Sequence, residues 1–529
     1  MIPKFVSLNE AVKEIRDNDV VVTSGFVGCA NPEGLEVALE QRFLENNSPR
    51  NLTLFYTAGQ GDGDCKAVNH LSHEGLLGKV IAGHFNKAPK LVKLIVENKI
   101  QGYNVPQGAL CHMLRDVAGK KIGTFTHVGL NTFADPRIDG GKLNKITTED
   151  IVEVMNIKGE ERLFYKPIHF DIALIKGSLS DERGNISLER EAATTECISI
   201  AQAVHNCGGK VIVQVDKIVE NGSLDPKLVK IPGIYVDYVV EVDDPSLKEQ
   251  VYGVEYEPEL CGAVRLSKNS HSEIMEMGAK KIIARRAAME IRKGIVGNLG
   301  IGVPEYVSTI AKEEDISDHM VLTVESGLVG GIPQSGIRFG TSINADAVLD
   351  QTYQFDFYDG GGLDTVFLGL AQADKDGNLN VSKFGTRIAG CGGFISISQN
   401  AKKVVFCGSF TTKGLDVEVK DGKLNILKEG SSKKFIDTVE QITFSGNYAR
   451  KIGQPVLYVT ERAVFELRKE GLTLIEVAPG IDLQKDILDL MNFKPLIAED
   501  LKEMDSRIFK EEVMGIKNDY AKDFVKKVV

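Results

Sequence analysis

A chain of 529 residues with 43% hydrophobic and 26% charged side chains is long enough for more than one globular domain. Its formal net charge of −11 argues against a nucleic-acid surface, while leaving room for a local basic pocket that takes an anionic ligand. No apolar run approaches the ~18–20 residues of a helical membrane span, so no membrane partner is expected.

In chain order, Ser7-Leu8-Asn9-Glu10 is a capping box heading a short helix with Leu8, Ala11, Val12 and Ile15 on one face. Its acidic neighbours Glu10, Glu14, Asp17 and Asp19 fit neither a signal peptide nor a transit peptide, and the closing Lys526-Lys527-Val528-Val529 is no targeting address. Short β-branched runs at 20–22, 52–55, 172–175 and 211–215 predict buried parallel strands. Residues 35–44 and 89–97 predict helices, the second with proline in its first turn. Such alternation predicts an open, mainly parallel, doubly wound α/β architecture.

The plan occurs twice. Gly25-Phe26-Val27-Gly28 with Pro32-Glu33 echoes Gly300-Ile301-Gly302 with Pro304-Glu305, each behind a helical pattern holding Ile-Arg (Ile15-Arg16, Ile291-Arg292). Asp181-Glu182-Arg183-Gly184-Asn185 echoes Asp374-Lys375-Asp376-Gly377-Asn378, and Lys210-Val211-Ile212-Val213 echoes Lys403-Val404-Val405-Phe406. Pro32 to Pro304 is an offset of 272, while Asn185 to Asn378 and Lys210 to Lys403 are both 193. Three echoes in one order predict two related α/β domains, 1–260 and 275–529, with a helix-like segment at 270–293 opening the second.

Eight scattered cysteines form no Cys-x-x-Cys pair, so neither a zinc site nor a disulfide framework is implied and a reduced cytoplasm is the expected home. The nine histidines make no ligand-spaced set. No metal is expected, and His84, His112 and His127 are read as structural or pocket-lining.

The most informative stretch is the apolar run 321–324 followed by Glu325-Ser326-Gly327. In open α/β sheets the ligand crevice lies outside the carboxyl ends of the strands. A carboxylate there, with glycines behind it, can act as base, metal ligand or nucleophile. A second element, Gly390-Cys391-Gly392-Gly393, can turn several backbone N–H groups toward one oxygen, as an oxyanion hole does. Gln107 can offer an amide to a carboxylate or thioester, and Gly129 with Thr132 and Phe133 combines close backbone approach, a hydroxyl and an aromatic wall. Residues 355–362 read as a tight acidic and aromatic turn. The two Gly-x-Gly-like segments lack the dinucleotide spacing, and Walker A, His-Glu-x-x-His and Gly-x-Ser-x-Gly sequences are missing.

Taken together, Gly25-x-x-Gly28 with Pro32-Glu33, Gln107-Gly108, Gly300-x-Gly302-x-Pro304, Val324-Glu325-Ser326-Gly327 and Gly390-x-Gly392-Gly393 resemble the family I coenzyme A transferases, over nearly the whole chain and in order. The resemblance is to the single-chain acetate/propionate branch, in which two subunit-like halves are fused. It implies that Glu325 is the nucleophile that becomes a glutamyl-CoA thioester. It implies that Gly390, Cys391, Gly392 and Gly393 hold the oxyanion and the thioester region, and that Gly28, Gln107, Gly129, Thr132 and Phe133 line the acyl or carboxylate pocket. Coenzyme A is then substrate and covalent intermediate, with no permanently bound cofactor. The partners are acyl-CoA and small carboxylic acids, in a homo-oligomer of tetrameric form. A rival on the same scaffold is an acyl-CoA thioesterase with Glu325 activating water. A sugar-phosphate isomerase or sugar-binding protein is a third reading, since fold does not fix function.

Overall fold

A computed structural model describes residues 2–267 and 275–519. They pack as two compact units. The first comprises Met1–Leu266 together with Val324–Asp359 and Lys383–Ser396, and the second comprises Ser267–Thr323, Gly360–Ser382 and Ile397–Val529. Glu325 and the 390–393 loop, both encoded past the middle of the chain, therefore belong to the unit built mainly from N-terminal residues.

The first unit is organised by an eight-stranded sheet. Its strands are β1 (Lys4–Phe5), β2 (Val20–Thr23), β3 (Leu52–Tyr56), β4 (Leu77–Ala82), β5 (Gln101–Asn104), β6 (Ile172–Lys176), β7 (Lys210–Val215) and β8 (Tyr238–Glu241). They lie in the order β1-β8-β7-β6-β2-β3-β4-β5, with every pairing parallel. The strands predicted at 20–22, 52–55, 172–175 and 211–215 are all present. Their run-on apolar character follows from burial: all five residues of β6 are buried, as expected where helices cover both faces of a parallel sheet.

Chain direction across the sheet reverses between β2 and β6, and the crevice at such a switch point is where open α/β sheets place ligands. The turn holding Gly25 and Gly28 leaves the carboxyl end of β2 at that point. Helices Glu33–Asn46 and Pro89–Val96 occupy the predicted positions, and Leu35, Leu39, Leu91 and Ile95 enter one core with Val21, Leu54 and Val80. The capping box at Ser7 forms, but its helix runs only Leu8–Ala11.

A chain of alternating acids and histidines pins the loop after β3 to helix Glu33–Asn46. His73 Nε2 meets Glu40 Oε1 at 2.7 Å, Glu40 Oε2 meets His70 Nδ1 at 2.5 Å, and His70 Nε2 meets Glu33 Oε1 at 3.1 Å. Glu33 Oε2 accepts from the Tyr252 hydroxyl at 2.7 Å and from the Ala67 amide at 2.9 Å. Burial opposes a charge on His70, but the hydrogen bonds to Glu33 and Glu40 outweigh it and raise its pKa to about 9. An unfolded histidine titrates near ~6.5, so this stabilisation is complete below about 6.5 and disappears as pH climbs through about 9. It is worth at most about 3 kcal/mol. Urea midpoints at pH 6.5 and 9.5 should fall for the wild type and fall less for His70→Gln; equal falls would show that His70 carries no such linkage.

In the second unit, β9 (Ile295–Leu299), β10 (Met320–Val324), β11 (Thr365–Gly369), β12 (Lys403–Cys407) and β13 (Val456–Val459) are parallel in the order β10-β9-β11-β12-β13. Beyond them, β14 (Ala463–Arg468) and β15 (Gly471–Val477) continue antiparallel, and β16 (Leu496–Glu503) returns parallel. Helix Ala279–Ala288 lies inside the segment 270–293 expected to open this half, of which residues 270–274 lie outside the described residues.

The internal repeat holds at the level of single hydrogen bonds. In one unit the Asp181 carboxylate accepts from the amides of Arg183 and Asn185 and from Asn185 Nδ2, and Asn185 Oδ1 accepts from Gly233 N. In the other, Asp374 accepts from Asp376 N, Asn378 N and Asn378 Nδ2, and Asn378 Oδ1 accepts from Gly446 N. A further pair was not read from the sequence: Asp171 accepts from Val20 N at 2.8 Å, and Asp364 accepts from Val296 N at 2.8 Å.

One expectation fails. Residues through Asp359 are not a turn but the end of helix Gln351–Asp359, which buries Phe355 and Tyr358. It also buries Gln351, Thr352 and Gln354, so hydrogen bonds, not an apolar stripe, seat it: Gln351 Nε2 donates to Thr57 Oγ1 at 2.9 Å and to Cys111 Sγ at 3.1 Å.

Candidate active site

Glu325 directly follows β10, is 9% exposed, and begins a tight turn. Gly327 N donates to Val324 O at 3.0 Å, and Leu349 N donates to Gly327 O at 2.8 Å. Gly327 has φ +111°, and a Cβ there would sit 2.0 Å from Leu349 O. No side chain fits both the dihedral and the space. Leu349 is itself held by the Thr194 hydroxyl at 2.8 Å, and Gln351 N donates to Thr195 O at 2.8 Å. Gly327→Ala is therefore expected to destabilise this turn by about 1–3 kcal/mol and to impair turnover more than binding. A thermal melt beside steady-state kinetics checks this, and wild-type values in both would mean that the turn tolerates a side chain.

Next to the carboxylate, Ser326 is fully buried and donates to Gly340 O at 2.6 Å. Gly340 in turn packs on Phe26, where a Cβ would lie 2.2 Å from the ring. The Glu325 turn is thus tied to the turn that leaves β2. There Asn31 Nδ2 donates to Val27 O at 3.0 Å and to Cys29 O at 3.3 Å. A Cβ at Gly28 would come within 2.9 Å of Ile337 O and 3.4 Å of the Tyr252 ring, so Gly28 forms a close-packed wall.

The wall continues to the 390–393 loop. Val27 N donates to Gly59 O at 2.6 Å, and a Cβ on Gly59 would meet His84 Nδ1 at 2.7 Å. His84 pairs with Gly390 as an antiparallel bridge, Phe85 N donates to Ala389 O at 2.7 Å, and Gly392 N donates to Gly83 O at 2.7 Å. Burial, and then the nearby Lys87 charge, lower the His84 pKa to about 4, so the imidazole is neutral at physiological pH. Asn104, fully buried at the end of β5, donates to Ala82 O at 2.9 Å and Gly83 O at 2.6 Å and accepts from Cys391 N at 3.0 Å. One carboxamide thus fastens the loop to the strand ends. Two of the amides expected to face a ligand oxygen, those of Cys391 and Gly392, are engaged within the protein.

Gln107 stands at the first position of helix Gln107–Ala118 and donates its backbone N–H to Gly392 O at 3.0 Å. It is 3% exposed, and its Nε2 is buried without a hydrogen-bond partner. A buried, unsatisfied donor costs about 1–3 kcal/mol, a cost that an arriving acceptor removes. Phe133 packs with Val128, Cys391 and Ile395 under the loop. Thr132 Oγ1 donates to Gly129 O at 2.7 Å, and Gly129 has φ +99°, so these two residues close a turn among themselves.

Glu325, Gly28, Gln107, Phe133 and the 390–393 loop therefore fall in one compact unit, while Gly129 and Thr132 support it from a turn. Asn104, Gly59, Gly340 and Tyr252 were not foreseen. Only their partners, hundreds of positions away for Asn104 and Gly340, reveal them. Among the described residues no group of His, Cys, Asp and Glu is arranged to hold a metal ion, and no helix is long and apolar enough to cross a membrane.

Comparison with known proteins gives a consistent picture. Residues 5–242 match the family model described as Coenzyme A transferase. The chain is 47% identical over 518 residues to a caffeate CoA-transferase of Acetobacterium woodii, covering 97% of this chain and 98% of that one. It is 43% identical to the acetate CoA-transferase YdiF of Escherichia coli K12, covering 96% of each. The crystal structure of the acyl-CoA transferase YdiF apoenzyme from E. coli O157:H7 superposes with a TM-score of 0.92 over 97% of both chains at 43% identity. The thioester complex of that enzyme with CoA gives 0.90 at 42% identity, again over 97% of both.

Proposed function

The chain belongs to the coenzyme A transferase family, and we propose that Glu325 is the residue on which it carries coenzyme A between a short-chain acyl-CoA and a free carboxylate. The enzyme is a CoA-transferase that works through a thioester intermediate. Glu325 attacks the thioester carbonyl and expels CoA thiolate, leaving a mixed anhydride between its carboxylate and the acyl group. The thiolate attacks the glutamyl carbonyl, releases the first carboxylate and forms glutamyl-CoA. A second carboxylate reverses these steps, so the kinetics are ping-pong and no ATP is consumed.

The observation that carries the reading is a carboxylate at the end of a parallel strand, in one compact unit with a glycine loop and a buried carboxamide whose Nε2 has no hydrogen-bond partner. With Cys391 N and Gly392 N already engaged, Gly390 and Gly393 are the loop's candidate donors to the tetrahedral oxyanion, and Gln107 Nε2 is the candidate donor to the acyl oxygen. Gly28, backed by Tyr252 and Ile337, is read as a wall of the acyl pocket, with Gly129, Thr132 and Phe133 shaping it from behind.

The two halves of the chain are read as fused alpha-like and beta-like subunits, 1–260 and 275–529. The acetate CoA-transferase alpha subunit of E. coli K12 supports this, since it is 26% identical over 243 residues and 97% of its length. Work in the reducing cytoplasm follows from the cysteine spacing. Assembly as a homo-oligomer belongs to the same proposal and is read by sedimentation velocity.

Mass spectrometry after incubation with acetyl-CoA and no acceptor tests the nucleophile. The expected result is an adduct of CoA less one water on the peptide containing Glu325. An unmodified protein that accumulates CoA and acetate would replace the transferase step by hydrolysis.

A further inference from the structure

Residues 349–351, which close the Glu325 turn, are gripped from behind by three consecutive residues of the same unit. Thr194 Oγ1 donates to Leu349 O at 2.8 Å, and Thr195 O accepts from Gln351 N at 2.8 Å. Glu196 reaches the Gln351 side chain through a single hydroxyl, that of Thr57, which donates to Glu196 Oε1 at 2.8 Å and accepts from Gln351 Nε2 at 2.9 Å. Between them Thr195 is fully buried with φ +47°. A β-branched residue rarely adopts that left-handed conformation, and it persists only where its surroundings dictate it. Thr57 also abuts the anchor of the glycine loop. A Cβ on Gly83 would lie 2.1 Å from Thr57 O, and Gly83 O accepts from Gly392 N at 2.7 Å. Glu196 thus backs both the nucleophile's turn and the 390–393 loop.

Glu196 is fully buried, and among the described residues no cation faces it. Its Oε2 has no hydrogen-bond partner, and neither has Gln351 Oε1 on the other side of Thr57. A lone carboxylate is costly in such a place, whereas a carboxylic acid brings the donor that the cluster lacks. A proton on Oε2 turns one of the two orphaned acceptors into that donor. Burial raises the Glu196 pKa to about 8 in spite of the Thr57 hydrogen bond, and the Asp350 charge adds to the rise. The titratable groups around it are Asp350, Cys111 on helix Gln107–Ala118, Cys197 at the head of the helix that Glu196 precedes, and Cys29 in the turn after β2. Burial pushes all three thiols up, so they stay neutral. Asp350, raised to about 6 by burial with Lys230 and Arg115 opposing, is charged above that pH.

We infer that Glu196, as a carboxylic acid, is a positioning residue for Glu325, fixing residues 349–351 and through them the turn that aims the nucleophile. This rests on Glu325 being that nucleophile. Below about pH 8 the acid is neutral and the cluster is closed. As pH climbs through about 8 its proton leaves to solvent, two like charges then face each other in a buried place, and the grip on residues 349–351 loosens. Glu196 touches no substrate atom, so the effect falls on the aim of Glu325 and not on the binding of acyl-CoA.

Steady-state kinetics of Glu196→Ala and Glu196→Gln across neutral and alkaline pH, with thermal melts of both, test this. In the alanine variant kcat falls roughly 10–100-fold while the KM for acetyl-CoA stays within about threefold of the wild type, as a misplaced reacting group requires. Glutamine copies the neutral acid but cannot ionise. It recovers most of that loss at neutral pH and lacks the fall in kcat that the wild type shows above about pH 8. An alkaline fall as steep in Glu196→Gln as in the wild type overturns the proposal, as does a glutamine variant no faster than alanine, or an alanine variant with wild-type kcat. If alanine does not fold, the pH profile of the glutamine variant decides alone. The rate at which the CoA adduct forms on Glu325, followed by quenched mass spectrometry, keeps this apart from the transferase reading. No adduct in the wild type removes the transferase step, whereas an adduct that forms equally fast in wild type and variants removes only the role of Glu196.

Discussion

Replacing Glu325 with alanine is expected to lower kcat by more than about 10⁴ while the protein still melts cooperatively near the wild-type temperature. No other group in the site can form an anhydride and then a thioester, so the loss is of the reaction path itself. The glutamyl-CoA adduct should vanish from the same variant. Glu325→Asp is the sharper experiment, because it keeps the charge and withdraws the carboxylate by one methylene. A displacement of about 1 Å costs roughly 10² in rate at a covalent centre, so the aspartate enzyme should fall by at least that factor. Ping-pong turnover surviving in Glu325→Ala would remove this residue from the nucleophile role.

The second large effect is expected at Asn104, which touches no substrate atom in the proposed scheme. Its fully buried carboxamide bonds to the backbone of strand β4, of Gly83 and of the catalytic loop at once. Asn104→Ala leaves Cys391 N without its acceptor, at about 1–3 kcal/mol of stability for the buried amide left unpaired, and takes one donor each from the Ala82 and Gly83 carbonyls, which keep Val105 N and Gly392 N. The freed loop no longer holds its remaining amides against the developing oxyanion, so kcat should drop by roughly 10²–10³ with a smaller change in the KM for acetyl-CoA. A variant that loses stability but keeps kcat would show that Asn104 supports the fold and not the loop's geometry.

Much of this was legible in the sequence, and what was missed has a common cause. The strands at 20–22, 52–55, 172–175 and 211–215 announce themselves because both faces of a parallel sheet are covered, leaving no polar alternation to confuse with a helix. The repeated Asp–Asn turn was legible because a carboxylate capping its own turn and an amide reaching outward require fixed residue types at fixed spacing. Helix Gln351–Asp359 was not legible, since its inward positions include the polar Gln351, Thr352 and Gln354, and the partners of the first two, Thr57, Cys111 and Ser199, lie far along the chain. The glycine loop was visible as a cluster, yet the number of its amides left for a ligand was not. Cys391 N is taken by a residue 287 positions away.

The order in which the first unit acquires its parts has a consequence for synthesis. Its eight strands all lie before residue 242, so a ribosome can release and fold that sheet while the chain is still growing. Glu325 is not yet made at that stage, and neither are Phe339, which packs beside Phe26, nor Cys391 and Ile395, which cover Phe133. The nascent unit is therefore complete in topology but open over two apolar surfaces and without its nucleophile. It closes only when residues up to 396 emerge and return to it. A truncated chain ending near residue 266 should accordingly be a well-formed sheet with sticky faces, prone to chaperone capture and aggregation, and catalytically silent.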